Sequence, residues 1–126
     1  MDDGRIRILV VDTLADGADS LAALLGSMGY EARAVHSMQE GFDEAARWQP
    51  HAAIIESSNW KRAQPYARQL SDGCRSPLLV YGISVMPPER IEPSDSCIRA
   101  VFMKGHPVDE LVDRLRADLG DPRARR

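Results

Sequence analysis

"IRILVVD", residues 6–12, decides how the rest of the chain reads. It is an almost unbroken apolar run, rich in β-branched residues, and it ends on a carboxylate. Such a run predicts a strand buried on both faces, the habit of parallel sheets covered by helices. "HAAIIESSNW" (51–60) repeats the arrangement: a short apolar run surfaces in an acid, Glu56, followed by Ser57, Ser58 and Asn59. "EARAV" (31–35), "PLLVYG" (77–82) and "IRAVFM" (98–103) supply three more strands, the last of them followed by Lys104.

Between the strands the apolar period changes to that of a helix. In "TLADGADSLAALLGSMGY" (13–30), Leu14, Leu21, Leu25 and Met28 share a face, and Gly29 sits where the helix stops. "SMQEGFDEAARW" (37–48) predicts a second helix, with Ser37 as N-cap and Met38, Phe42 and Ala45 facing inward. "KRAQPYARQLSDG" (61–73) is a weaker third, in which Pro65 fits only a first turn. Segment 83–97, with three prolines, predicts at most a short or broken helix. "PVDELVDRLRADLG" (107–120) is the clearest helix. Pro107 suits its first position, acids crowd its first turn, Leu111, Leu115 and Leu119 recur every four residues, and Gly120 ends it.

Strands alternating with helices predict an α/β fold with a five-stranded parallel sheet covered on both faces. Chemistry in such sheets gathers at the carboxyl ends of the strands, so Asp12, Glu56, Gly82 and Lys104 are expected to converge there. The 126 residues, 44% apolar, suit one domain spanning 1–126, with 121–126 as a frayed basic tail. A net charge of −3 gives no bulk attraction to nucleic acid or membrane, and the arginines near the C-terminus are interleaved with Asp113, Asp118 and Asp121. No apolar stretch is long enough to span a bilayer and the start is acidic, so a cytoplasmic protein is expected. Cys74 and Cys97 are expected at the sheet's amino-terminal edge as free thiols, though near enough that a bridge is conceivable.

The strand ends carry a family signature. "RILVVD", "AAIIE" and "VFMK", in that order and spacing, resemble a response-regulator receiver domain over essentially the whole chain. The resemblance implies the flavodoxin-like, chemotaxis-regulator (CheY-like) doubly wound (βα)5 sandwich with strand order 2-1-3-4-5. It also implies a site. In the family, two adjacent acids after strand one hold a divalent metal, an aspartate ending strand three accepts a phosphoryl group, and a hydroxyl residue and a lysine ending strands four and five bind that group. Here the first acid is Asp12 but the second is Thr13. Glu56 replaces the acceptor aspartate, Gly82 takes the hydroxyl position, Val101 takes the place of the usual aromatic switch residue, and Lys104 is kept, followed by Gly105. The pattern is that of a degenerate pseudo-receiver lacking the phosphoacceptor aspartate.

The departures have chemical consequences. Thr13 removes a full charge from a magnesium site that depends on carboxylate oxygens. Glutamate holds its charge one methylene farther out, which spoils the in-line geometry of phosphoryl transfer. Without a metal, Asp12 and Glu56 repel each other, and Lys104 is the natural compensating charge. A Lys104–Glu56 contact at roughly 4 Å is worth about 4 kcal/mol at an effective dielectric near 20, before desolvation. Glu56 as a built-in mimic of the phosphorylated state is a weaker idea, because the substitution adds no charge.

No catalysis and no cofactor are expected. If magnesium bound, its ligands would be Asp12, Glu56 and a backbone carbonyl near Ser58. The leading expectation is a stand-alone protein-binding module of two-component signalling. Its partner would be a histidine kinase, a regulator, an output protein or a second copy, met through exposed Ile83, Val85, Met86 and Ile91, with Trp60 as a further contact or core residue. A residual magnesium-dependent phosphoacceptor in a phosphorelay is the alternative. A flavodoxin-like binder of a phosphorylated small ligand is a third, disfavoured because no glycine-rich phosphate loop follows strand one.

Overall fold

Five strands form one parallel sheet: β1 (Arg7–Val11), β2 (Glu31–Val35), β3 (Ala52–Glu56), β4 (Leu79–Ser84) and β5 (Ile98–Met103), in the order β2-β1-β3-β4-β5. The computed structural model describes residues 5–85, 97–104 and 108–122. Within these lie four helices: α1 (Ala15–Ser27), α2 (Met38–Trp48), α3 (Trp60–Asp72) and α4 (Asp109–Leu119). The parallel sheet is the one that the alternation of elements predicts, and its order is that of the CheY-like, flavodoxin-type architecture that the resemblance implies.

Side chains that alternate along each strand sort the core into two layers. Ile8 and Val10 of β1, Ala52 and Ile54 of β3 and Tyr81 of β4 pack with Leu25 of α1 and Leu111 and Leu115 of α4. Their neighbours Leu9, Val11, Ala53, Ile55 and Val80 point the other way, onto Ala45 of α2 and Tyr66 and Leu70 of α3. Both faces of the central strands are therefore buried, which is why those strands read as continuous apolar runs. Cys74 and Cys97 are free thiols packed against the same second layer, and burial raises the pKa of Cys74.

Helix ends follow local chemistry. Ser37 Oγ accepts the Glu40 amide (3.1 Å) and Asn59 caps α3 through the Arg62 amide. After α1, Gly29 adopts φ 105°, a left-handed conformation that a side chain would resist, and Tyr30 N returns to Leu25 O.

Several expectations shift. Pro65 lies in the second turn of α3, where it removes the amide that would meet Lys61 O. Leu14 is not on the inward face of α1: it precedes the helix and is exposed. Met38, the first residue of α2, is also exposed rather than inward. Both lie at helix starts, beyond the edge of the sheet that would cover them. β4 runs two residues past Gly82, because Ile83 and Ser84 continue to pair with Phe102 and Met103 of β5 and Ile83 also pairs with Glu56. A bulge in β5 permits this, since Val80 faces Ile98 while Gly82 faces Val101. Pro107 and all but the edges of 83–97 lie outside the described residues.

Candidate functional site

Parallel strands end together, so the carboxyl edge of β1, β3 and β5 delivers its terminal side chains to one place. Asp12 continues the ladder beyond β1, its amide donating to Val35 O, and its side chain is fully buried. The Lys104 amide donates to Ser84 O at 2.7 Å, which sets the start of its side chain over the end of β4. From there Lys104 Nζ reaches Asp12 Oδ2 at 2.6 Å and Glu56 Oε2 at 2.7 Å. One ammonium thus bridges two carboxylates drawn from residues 12 and 56, and the trio carries a net charge of −1. Burial pulls the Lys104 pKa down, but the hydrogen bonds to Asp12 and Glu56 and their negative charge prevail and hold it above the ordinary lysine value.

The remaining carboxylate oxygens are also engaged. Asp12 Oδ1 accepts the Leu14 amide at 2.9 Å, an Asx-turn that starts the approach to α1. Glu56 Oε1 accepts the Ser58 amide at 2.5 Å. All four oxygens of the two acids therefore have donors from the chain itself. The exposed Thr13 adds only a hydroxyl, so the residues as arranged do not fit a divalent cation, which needs several open oxygens. Among the described residues no group of three or more His, Cys, Asp or Glu side chains is placed to hold a metal.

Gly82 and Val101 sit side by side on β4 and β5. Gly82 is buried, and Val101 packs partly against the second core layer. Ile83 is 8% exposed, which removes it from any contact surface: it lies in a strand and packs with Leu111 and Phe102, not in a loop. Val85, one step past the strand, is 55% exposed. Met86 and Ile91 lie outside the described residues, and so does the side chain of Trp60, whose backbone opens α3. A cleft of about 180 Å³ beside Glu56 is lined by Thr13, Met38, Asn59 and Arg62. A wider groove of about 490 Å³ lies between α1 and α4, with Asp12 and Lys104 at its polar end and Leu14, Leu21, Phe102 and Val108 along it.

Ser57 and Ser58, which follow Glu56, also build the site through their hydroxyls. Ser57, 4% exposed, donates both its amide (2.7 Å) and its hydroxyl (3.2 Å) to Ile83 O. Ser58 Oγ accepts the Val85 amide at 3.0 Å and lies 3.3 Å from the buried Ser84 Oγ. The only sequence signals for them are a glycine within the apolar run of one strand and a pair of small hydroxyl residues just past the end of another. Among the described residues no helix is long and apolar enough to cross a membrane.

No family model matches the chain, and no curated protein matches it. Solved structures do. A response regulator from Thermotoga maritima superposes with a TM-score of 0.77 at 14% identity, covering 90% of this chain and 96% of that one. A response regulator receiver protein from Burkholderia phymatum gives 0.75 at 20% identity over 92% and 96%. HP1043, an orphan response regulator of H. pylori, gives 0.76 at 16% over 94% and 99%. With identities this low the likeness is one of fold, and the chain has the fold of the response-regulator receiver domains.

Proposed function

We propose that this chain is an atypical receiver module of two-component signal transduction that binds a protein partner without phosphoryl control. The partner is a histidine kinase, a regulator, an output protein or a second copy, and the setting is the cytoplasm. The observation that carries the reading is the Lys104 ammonium held between Asp12 and Glu56, at 2.6 and 2.7 Å. Phosphoryl transfer to a carboxylate rests on in-line positioning of the acceptor and on a metal that neutralises the incoming charge. Here one internal cation serves both acids, Thr13 replaces the second metal-binding acid, and Gly82 offers no hydroxyl. The module carries no catalysis of its own and needs no cofactor. Of the surface first expected to meet a partner, the exposed Val85 stands beside the site.

Titration with magnesium and beryllofluoride, followed by amide NMR, tests this reading. The amides of Asp12, Glu56, Gly82 and Lys104 are expected to stay in place at millimolar magnesium. Saturable shifts at those amides, or a base-labile phosphoryl adduct on Glu56 after acetyl phosphate treatment, would establish the residual phosphoacceptor instead. Partner capture is expected to fall with Val85→Asp and to survive Glu56→Gln.

A further inference from the structure

Glycine in a strand interior weakens it, and a buried one needs a reason. Gly82 has no positive φ to demand it; the positive-φ glycines among the described residues are Gly29 and Gly120. Its reason is space. A Cβ built on Gly82 would collide with Ser57 Oγ and lie 2.9 Å from Ser57 Cβ and 3.0 Å from Val101 Cγ2. Turning the serine hydroxyl away would not relieve this, because the Ser57 Cβ is itself too close. The side chain of Ser57 therefore fills the volume that any side chain at position 82 would occupy.

Ser57 is also fastened where it sits. Its amide and its hydroxyl both donate to Ile83 O, and nothing in its side chain is left without a partner. The next residue repeats the attachment one step on, with Ser58 Oγ accepting the Val85 amide and meeting Ser84 Oγ. The loop after β3 is thus sewn to three consecutive residues at the end of β4, 83 to 85. The same end is held from the other side by the Lys104 amide on Ser84 O.

We propose that Ser57 and Gly82 form an interlocking pair that fixes the end of β4. The serine takes the place of the missing side chain, and the hydrogen bonds of Ser57 and Ser58 hold the strand end in one position. The pair would act whether or not the site is closed to phosphoryl transfer, because it depends on shape and on backbone hydrogen bonds rather than on Asp12, Glu56 or Lys104. The lock makes Val85 a rigidly placed contact residue.

A double-mutant cycle tests the pair. Gly82→Ala alone is expected to lower the folding equilibrium constant by about tenfold to a hundredfold, the cost of overpacking. In a Ser57→Gly background the same substitution is expected to cost at least tenfold less, since both Ser57 contacts are then gone and only the 3.0 Å approach to Val101 Cγ2 remains. If Gly82→Ala does not fold but the double variant does, the pairing is upheld. Additive effects, a Gly82→Ala variant as stable as wild type, or a double variant that also fails to fold would overturn it. Amide hydrogen exchange tests the lock: Ser58→Ala is expected to speed exchange at Val85 about tenfold while the β1 amides keep their rates. Unchanged exchange at Val85 would show that the serines do not hold the strand end.

Discussion

Two polar clusters in this molecule are near mirror images. At the carboxyl edge of the sheet one cation, Lys104, serves two acids, Asp12 and Glu56. On the flank of β4, β5 and α4 one acid, Asp118, serves two cations and a phenol: its Oδ2 accepts from Tyr81 Oη at 2.6 Å, Arg114 Nε at 2.9 Å and Arg99 Nε at 3.3 Å. The first cluster is sunk, with Lys104 20% and Asp12 0% exposed at the side chain. The second has its cations nearer water, with Arg99 and Arg114 at 45% and 40% around an Asp118 that is itself 15% exposed. The lesson is that similar distances carry different weight. Removing the central charge of the first cluster strands the buried Asp12, whereas removing one arginine from the second leaves Asp118 its other donors.

The largest effect therefore belongs to Lys104→Met. It abandons a fully buried carboxylate and should cost about 3 kcal/mol, the lower end for a broken buried pair because Glu56 keeps some access to water. Urea denaturation measures it. A midpoint within error of wild type would mean the ammonium does not hold the acids together. Adding Asp12→Asn is expected to restore part of the loss.

pH separates the clusters next. The Lys104 pKa is raised in the fold, so its contribution is whole below the ordinary value of 10.5 and fades as pH climbs through the higher folded value. Asp118 behaves oppositely. Burial pushes its pKa up, but the hydrogen bonds from Tyr81 and Arg114 and the two guanidinium charges outweigh this and lower it below 3.8. Its contribution is present above 3.8 and lost as pH falls through the folded value. Tyr81 adds an alkaline loss to the second cluster, since burial first and then Asp118 raise its pKa above the usual 10.0. Stability profiles are expected to lose alkaline slope in Lys104→Met and in Tyr81→Phe, and acid slope most fully in Asp118→Asn and partly in Tyr81→Phe, whose hydroxyl helps hold the Asp118 pKa down. An acid slope missing from Lys104→Met but kept by Asp118→Asn would reverse the assignment.

How far each cluster can be read from the sequence follows from the same geometry. Asp12, Glu56 and Lys104 each end or follow an apolar run, and parallel strands must finish on one edge, so their meeting is legible without coordinates. The Asp118 cluster is not, because it depends on which turn of α4 passes over Tyr81 and on the reach of two arginines. Ile83 reads as a loop residue because the run "PLLVYG" closes at its glycine. Pairing with Glu56 and Phe102 carries the strand on, a tertiary effect that no local pattern encodes. Ser57 stayed hidden for the same reason. Its role exists only once β3 and β4 are in register and Gly82 leaves a space that its side chain can fill.

Below these effects comes Tyr81→Phe at neutral pH. It deletes one hydroxyl on a side chain whose ring is buried, and Asp118 keeps both arginines. The expected loss is about 1.5 kcal/mol, a single hydrogen bond to a charged acceptor, measured by thermal or urea unfolding. A cost as large as that of Lys104→Met would mean that the phenol, not the arginines, is the anchor of the flank.

The smallest effect is also the most discriminating. Arg99→Ala and Arg114→Ala each break an ion pair whose cation is nearly half exposed, and each should cost about 0.5 kcal/mol at low salt. At 1 M salt the screening length is about 3 Å, close to the ion-pair distances themselves, so both costs should vanish in solution-facing pairs. The Lys104 pair is shielded from the ions, and Lys104→Met should therefore cost nearly as much at 1 M as at low salt. Unfolding midpoints of the three variants at both salt concentrations decide the matter. If Lys104→Met lost its cost at high salt along with the arginine variants, the acidic pocket would be open to solvent. The contrast between a sunken and a surface cluster would then disappear, and with it the support for the proposal that one internal cation keeps this site closed.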